Sequence, residues 1–454
     1  MAISASQNGT DIAALLQTAP DKYVSLGDLL KYNKPDNRDL LIQTYGDQGI
    51  TGFLELTGAT RSAGTADEVQ YWEEGRLHKT VAYASATANV VTVADNDPAV
   101  IRNNDVLLFP DGSRGVVTAK DTSGTTFTVV PMNGGTAIAD ASAGVAVIIG
   151  NVYAQGTDQP TEFYNTDVVK RTNPFIISKE SYEVNGSQAT NIGWINVGNG
   201  DYRWYVKGEM DTRKRFMNQR EMMMLLSQKV ADTANVGADN VALADGVTTG
   251  SEGYFSAIED RGIVAAGTFE AVSGSTALAE FDEIVLLLDA QGAPSEYAMY
   301  VNRQTSLNID DMLANGIATA TTAGLAGQFG AFNNSPDMAV QLGFKSFTRG
   351  GYTFHKHDWK LLNDPTLLGA TGHKFKGAMV PMSQVADART GVKSPALEMN
   401  YKEANGYSRE MEHWVTAGGV LGFNNDTKDT ARFHYRSEYN LITRAANQHV
   451  LITS

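Results

Sequence analysis

Five short apolar runs, NVVTVA (89–94), DVLLF (105–109), SRGVVTAK (113–120), TTFTVV (125–130) and GVAVIIGNVY (144–153), are cut apart by DNDP, PDG, DTSG and NGG. The runs are rich in β-branched residues, and the breaks hold the Asp, Asn, Gly and Pro that tight turns require. No helical period fits this spacing. The pattern predicts a small β-barrel or sandwich of five strands and roughly 65 residues, placed at about 85–152. Before it, DEVQYWEEGRLHKTVAY (67–83) alternates polar and apolar like one long strand. After it, AQGTDQPTEFYN is turn-rich extended chain. The compact module is therefore expected in the tip of a longer two-stranded loop spanning 67–168.

A second constraint lies at 201–230, which has no proline and one glycine, Gly208. Met210, Met217 and Met224, with Phe216, Met223, Leu226 and Val230 on the adjoining row, recur at three-, four- and seven-residue intervals. A long amphipathic helix is predicted, about 30 Å for 20 residues, with the methionines filling a sheet-facing side. Its basic residues Arg213, Lys214, Arg215 and Arg220 are interleaved with Glu209, Asp211 and Glu221. Glu209–Arg213 and Asp211–Arg215 stand one helical turn apart, which describes a solvated charged face. A nucleic-acid-binding helix would carry fewer acids.

Elsewhere, DIAALLQTA (11–19) and VSLGDLLKYN (24–33) fit short helical pieces in an extended arm. KRTNPFIISKESYEVNGSQ (170–188) reads as strand, and 236–276 as irregular. LAEFDEIVLLLDAQG (278–292) reads as a helix started by Ser275 or Thr276 and ended by Gly292. A strand at 296–302 and a short helix at 306–315 follow. GYTFHKHDW (351–359), HKFKGAMVPM (373–382), 396–423 and 430–452 are mostly strand. The class is α+β with a β-rich insertion.

The net charge is −15, from 36 basic and 51 acidic residues. Gripping nucleic acid needs clustered Lys and Arg, so that is not this chain's main task. With no cysteine, disulfide staples, thiolate metal sites and thiol nucleophiles are excluded. MAISASQNGTDIAALL lacks a basic start and apolar core, so no signal peptide is expected. VAVIIG (145–150) and IVLLL (284–288) are too short to span a bilayer. GxSxG, HExxH, Walker and EF-hand motifs are absent. Gly198-Asn199-Gly200 has Arg203 where a dinucleotide fingerprint needs glycine, and Asp111-Gly112-Ser113-Arg114-Gly115 reads as a hairpin turn. His355 and His357 share a strand face and could pair as ligands, with Asp358 beside them, but no third ligand is evident. His413 and His434 read as packing histidines. Asp95/Asp97 and Asp310/Asp311 lie where Asp ordinarily caps. No catalytic, cofactor-binding or metal-binding residues are expected.

The order of parts (arm, long two-stranded loop, strands, one long helix, compact α+β domain, final strand) resembles the major capsid proteins of tailed bacteriophages, the Hong Kong 97-type fold. DEVQYWEEGRLHKTVAY and NVYAQGTDQPTEFYN resemble the limbs of that family's extended loop. MDTRKRFMNQREMMMLL resembles its spine helix, and FDEIVLLLDAQGAPSEYAMYVNRQTSLNIDDML its axial-domain helix, strand and helix. TARFHYRSEYNLITRAANQHVLI resembles the strand returning to the peripheral domain. The likeness divides the chain into an arm at 1–66, the loop at 67–168, a peripheral domain at 169–276, an axial domain at 277–428 and the returning strand at 429–454.

The resemblance implies a structural, non-enzymatic subunit that self-assembles into hexamers and pentamers of an icosahedral head around double-stranded DNA, without sequence-specific binding. It implies a virion made in the host bacterial cytoplasm and no membrane partner. A portal, an auxiliary or cement protein and, since no long charged helical segment precedes the arm, a separate scaffolding protein are the other expected partners. Glu73, Glu74, Arg76, His78 and Lys79 on the loop are the expected subunit contacts, with Arg61, Lys170 and Arg171 as further candidates. The inner wall is expected to carry few exposed basic clusters. Other assembly subunits, a tail tube or an encapsulin-like shell, are the alternative. A hydrolase with a carbohydrate-binding β-module would need convergent carboxylates.

Overall fold

The computed structural model describes residues 60–94, 101–121, 125–135, 141–162, 166, 168–190, 204–229, 250–267, 269, 276–320, 345–369, 373–386 and 393–454. The arm helices expected at 11–19 and 24–33, and Asp95 and Asp97, lie outside them. The chain forms two compact units, residues 70–172 and the remainder.

After β1 (Thr60–Ser62), strand β2 (Glu68–Glu74) pairs with β9 (Val168–Pro174) as a two-stranded ribbon. Between them lies a closed antiparallel barrel with strand order β3-β4-β7-β6-β5-β8. Its strands are β3 (Thr80–Thr87), β4 (Val90–Val93), β5 (Asp105–Leu108), β6 (Arg114–Lys120), β7 (Thr126–Pro131) and β8 (Ala141–Asn151). Five of the six follow the predicted runs. The sixth, β3, was expected to be part of one strand with β2, but the chain breaks over Gly75–Lys79 and Thr80 begins a new strand. The alternation continues across that break, so periodicity alone conceals it. Val81, Tyr83, Val91, Leu107, Val117, Phe127, Val129 and Ala146 point inward and fill the barrel. The Asp111 turn is the expected hairpin: Ser113 N–H donates to Asp111 Oδ1 at 3.0 Å, and Gly112 takes φ +83°.

The other unit holds two larger sheets. In the first, β10 (Ile176–Asn185) runs antiparallel to β22 (Thr430–Thr443) over ten residue pairs. β22 also pairs with β18 (Leu397–Tyr401) and β21 (Glu412–Ala417), and β1 lies parallel to β18. Helix α1 (Trp204–Leu226) packs on this sheet, with Phe216 6.0 Å from Tyr435 between ring centres. Two short hairpins, β16 (Val385–Ala386) with β17 (Lys393–Ser394) and β19 (Glu403–Ala404) with β20 (Tyr407–Ser408), decorate the region.

The second sheet is mixed, in the order β11-β23-β15-β12-β14-β13. Its strands are β11 (Ile263–Ala266), β12 (Glu296–Val301), β13 (Ser346–Arg349), β14 (Tyr352–Asp358), β15 (Phe375–Pro381) and β23 (Val450–Thr453). Both faces are buried, which explains runs such as AMV and VLI in β15 and β23. Met379, Val450 and Ile452 face helices α3 (Thr276–Ala290) and α4 (Arg303–Ala320). Ala378, Val380 and Leu451 face a second core that takes in Met224 and Leu225 of α1 and Tyr254, Phe255 and Ile258 of α2 (Tyr254–Arg261).

Two readings change here. The stretch 236–276 was expected to be irregular, yet α2 and β11 lie within it. At eight residues α2 is too short to display a period. The segment 430–452 is not one strand but two in different sheets, β22 and β23, parted by a turn in which Ala445 takes φ +50°. The described fold is α+β, as expected.

Candidate functional site

Among the described residues the ribbon of β2 and β9 buries only Asn173 and Pro174, where β9 ends. Along β2 no residue is buried, and side chains alternate between exposed and half-buried. A two-stranded ribbon without a packed layer is marginal by itself. The ribbon presents Trp72 at 65% exposure, with Val168 and Val169 also exposed, and Leu77, in the break that follows β2, is 76% exposed.

The predicted contact residues distribute as follows. Glu73 and Arg171 meet across the ribbon, Arg171 Nε donating to Glu73 Oε2 at 3.2 Å with both half-buried, so this pair ties the two strands together. Glu74, Arg76, His78 and Lys170 are exposed, and Lys79 is half-buried; Arg76 and Lys79 have interactions of their own within the chain. Arg61 belongs to β1, opposite Asn400 in the five-stranded sheet, and is exposed. Trp72 and Leu77 were missed. Trp72 shares the exposed parity of β2 with Gln70 and Glu74, a signal the sequence did carry, whereas Leu77 is exposed because it falls in the break after β2.

Helix α1 departs further from its sequence reading. Its buried stripe is Tyr205, Thr212, Phe216, Arg220 and Met224, with Glu221 and Leu225 beside it, whereas Met210, Met217 and Met223 are exposed. The offset has polar causes. Gly208 lets the helix approach β10 so closely that a Cβ there would stand 2.6 Å from the Tyr182 hydroxyl. Tyr435 donates its hydroxyl to Glu209, and burial, then this bond, raises the tyrosine pKa. Arg220 lies 5.2 Å over the Tyr439 ring and donates Nη2 to Met399 Sδ at 3.5 Å; burial lowers its pKa. Asp211 accepts from Lys207 at 2.8 Å rather than from Arg215. Arg213, Lys214 and Arg215 are exposed and have no carboxylate partner among the described residues.

The outer face of β10, β22 and β21 is a lattice of neutralised charge. Glu183 accepts from Lys428 and Arg432, which hold its carboxyl below the usual range. Arg436 donates to Glu412 and lies 4.9 Å over the ring of Trp414, which stacks on His434. Such cross-strand pairs stabilise a sheet and need no ligand.

Among the described residues no group of three or more histidines and carboxylates could hold a metal ion. His357 stacks on Tyr300, and His413 on Tyr435. Lys356 donates to Asp310 at 2.5 Å, away from the two histidines beside it on β14. A cleft of about 320 Å³ between α2 and β15 is lined by Phe255, Phe375, His373, Glu259 and Lys374, and its two charges pair with each other. No described helix is long and apolar enough to cross a membrane.

No family model and no curated protein matches the chain. Solved structures do. A capsid structure of cyanophage P-SCSP1u has 8% identity and a TM-score of 0.39 over 94% of this chain and 93% of that one. The asymmetric unit of the bacteriophage PhiM1 mature capsid gives 8% and 0.38, covering 93% and 91%. The capsid of Myoviridae phage XM1 gives 9% and 0.41, covering 96% and 99%. Each is a phage capsid.

Proposed function

We propose that this chain is a structural shell subunit, the major capsid protein of a tailed double-stranded DNA bacteriophage with a Hong Kong 97-type fold. The carrying observation is the thin two-stranded ribbon, with Trp72 on β2 and Leu77 in the break after it both exposed. Such a surface is favourable only when laid on other molecules, and copies of the same chain supply it at every position of a closed shell. In this reading 1–66 is an arm, 67–168 the extended loop with its barrel, and α1 the spine of a peripheral domain (169–276). Residues 277–428 supply the axial domain and 429–454 the returning strand, though the sheets cross these bounds: β18 and β21 pair with β22 beside α1, and β23 joins the six-stranded sheet. Hexamers and pentamers close the head in the bacterial cytoplasm around DNA that is held without sequence readout. A scaffolding protein, a portal and an auxiliary or cement protein complete the particle. The role is non-enzymatic.

On the ribbon and the 75–79 break that follows β2, Trp72 and Leu77 supply apolar contact and Glu74, Arg76, His78, Lys79 and Lys170 the polar rim, while Glu73 and Arg171 stiffen the ribbon from within. Arg61 contributes from β1. Individual ion pairs at such a rim contribute about 0–1 kcal/mol, so repetition decides the outcome. Trp72→Ala with Leu77→Ala is expected to abolish closed particles in negative-stain images while leaving the melting temperature of unassembled chain unchanged. Glu74→Lys with Lys170→Glu, both exposed, is expected to impair assembly with the fold retained, whereas Glu73→Lys would also set a lysine against Arg171 and loosen the ribbon itself. Normal particles from both double variants would remove the ribbon as the joint. A tail-tube subunit is the competing reading; microscopy of the wild-type chain separates tubes from shells.

A further inference from the structure

Two helices of the larger unit carry stripes of opposite character whose charges have no ion-pair partner among the described residues. On α1, Met210, Arg213, Lys214 and Met217 fall at i, i+3, i+4 and i+7, one face about 10 Å long. The two methionines are 53% and 42% exposed. The nearby acids are committed elsewhere, Glu209 to Tyr435 and Asp211 to Lys207, with Glu221 buried. On α3, Glu283, Leu286 and Leu287 fall at i, i+3 and i+4. Leu286 is 70% exposed and Leu287 also faces water. Glu283 is exposed with no basic partner among the described residues, whereas its neighbour Asp282 is held by Arg349 at 2.6 Å.

We propose that the Met210–Met217 stripe of one copy docks on the Glu283–Leu287 stripe of a second copy. Each side offers what the other lacks: two cations between thioethers, and a carboxylate beside two leucines. Duplex DNA would satisfy Arg213 and Lys214 but give the methionines nothing. The contact is heterologous, so it propagates from copy to copy and closes into a ring or runs on. Each stripe spans about two helical turns or less, short of the roughly 800 Å² per partner of a stable dimer. It therefore works as one weak contact among several. The inference stands on these two faces and does not require the ribbon or a closed shell.

The chain has no cysteine, so a disulfide reports the contact directly. Full-length Met217→Cys/Leu286→Cys, oxidised under assembly conditions, is expected to give a ladder of covalent oligomers on a non-reducing gel. Each single variant, and the control pair Met217→Cys/Leu307→Cys, should stop at dimers. Adding Arg213→Glu and Lys214→Glu should cut the ladder about tenfold, and adding Glu283→Lys to those should restore it. A ladder no stronger than the control's would overturn the proposal. So would an anisotropy titration in which Arg213→Glu/Lys214→Glu abolishes binding of a labelled DNA duplex while the ladder is unaffected.

Discussion

Arg220 brings a guanidinium into the interior and meets a ring and a sulfur there rather than a carboxylate in hydrogen-bond contact. Its contribution is therefore packing of the stem and the planar head. Arg220→Met should keep most of the stability, whereas Arg220→Ala should lose about 2–3 kcal/mol in chemical denaturation. His449 is the other buried group with a readable consequence. Tyr254 hydroxyl and His449 Nδ1 lie 2.9 Å apart, and burial holds the imidazole down to about 3. Above the unfolded value near 6.5, both states are neutral and His449 adds no pH dependence. As pH falls below that value the unfolded chain takes a proton that the folded chain refuses, so stability drops progressively toward about pH 3. Thermal melts between pH 6.5 and 5 should show this slope, and His449→Gln should flatten most of it. Neither residue's role was legible from sequence. Periodicity marks a stripe without saying that a charged side chain belongs in it, so Met210 and Met217 were assigned to the face that Arg220 occupies. Of the eight expected contact residues, Glu73 and Arg171 pair with each other within the chain, and that pairing is visible only in the ribbon's geometry.

At the scale of elements, legibility followed chemical punctuation. Helix α3 could be ended in advance because Gly292 takes φ +62° and Ala293 N–H returns to Leu288 O at 3.1 Å. Gly292→Ala should cost about 1 kcal/mol, measured by urea denaturation. Helix α4 starts earlier than expected because Asn302 Oδ1 accepts from Thr305 N–H at 2.8 Å, a cap the pattern did not weigh. The barrel strands were legible for the same reason as α3, with turn residues at each break. Strand β3 was hidden because its break carries no such dipeptide, and α2 because eight residues give no period. Gly208 marks a close approach of α1 to β10 that no local pattern announces. Gly208→Ala should loosen the α1–β10 contact by about 1–3 kcal/mol, since either Tyr182 or the helix must move.

At the scale of the whole molecule, the division of the cores sets how it should melt. The barrel encloses its own apolar interior, and the larger unit keeps two cores on opposite faces of one six-stranded sheet. Calorimetry of unassembled chain should therefore resolve two transitions. Phe127→Ala should cost the barrel about 3–5 kcal/mol and lower one transition alone. The barrel's entry and exit strands also carry a practical meaning. Thr80 and Val147 sit opposite one another on neighbouring strands of the wall, one strand spacing of about 5 Å apart. A foreign domain whose two ends lie that close can be spliced in at this address without stretching its host, which makes the position a natural port for displayed cargo.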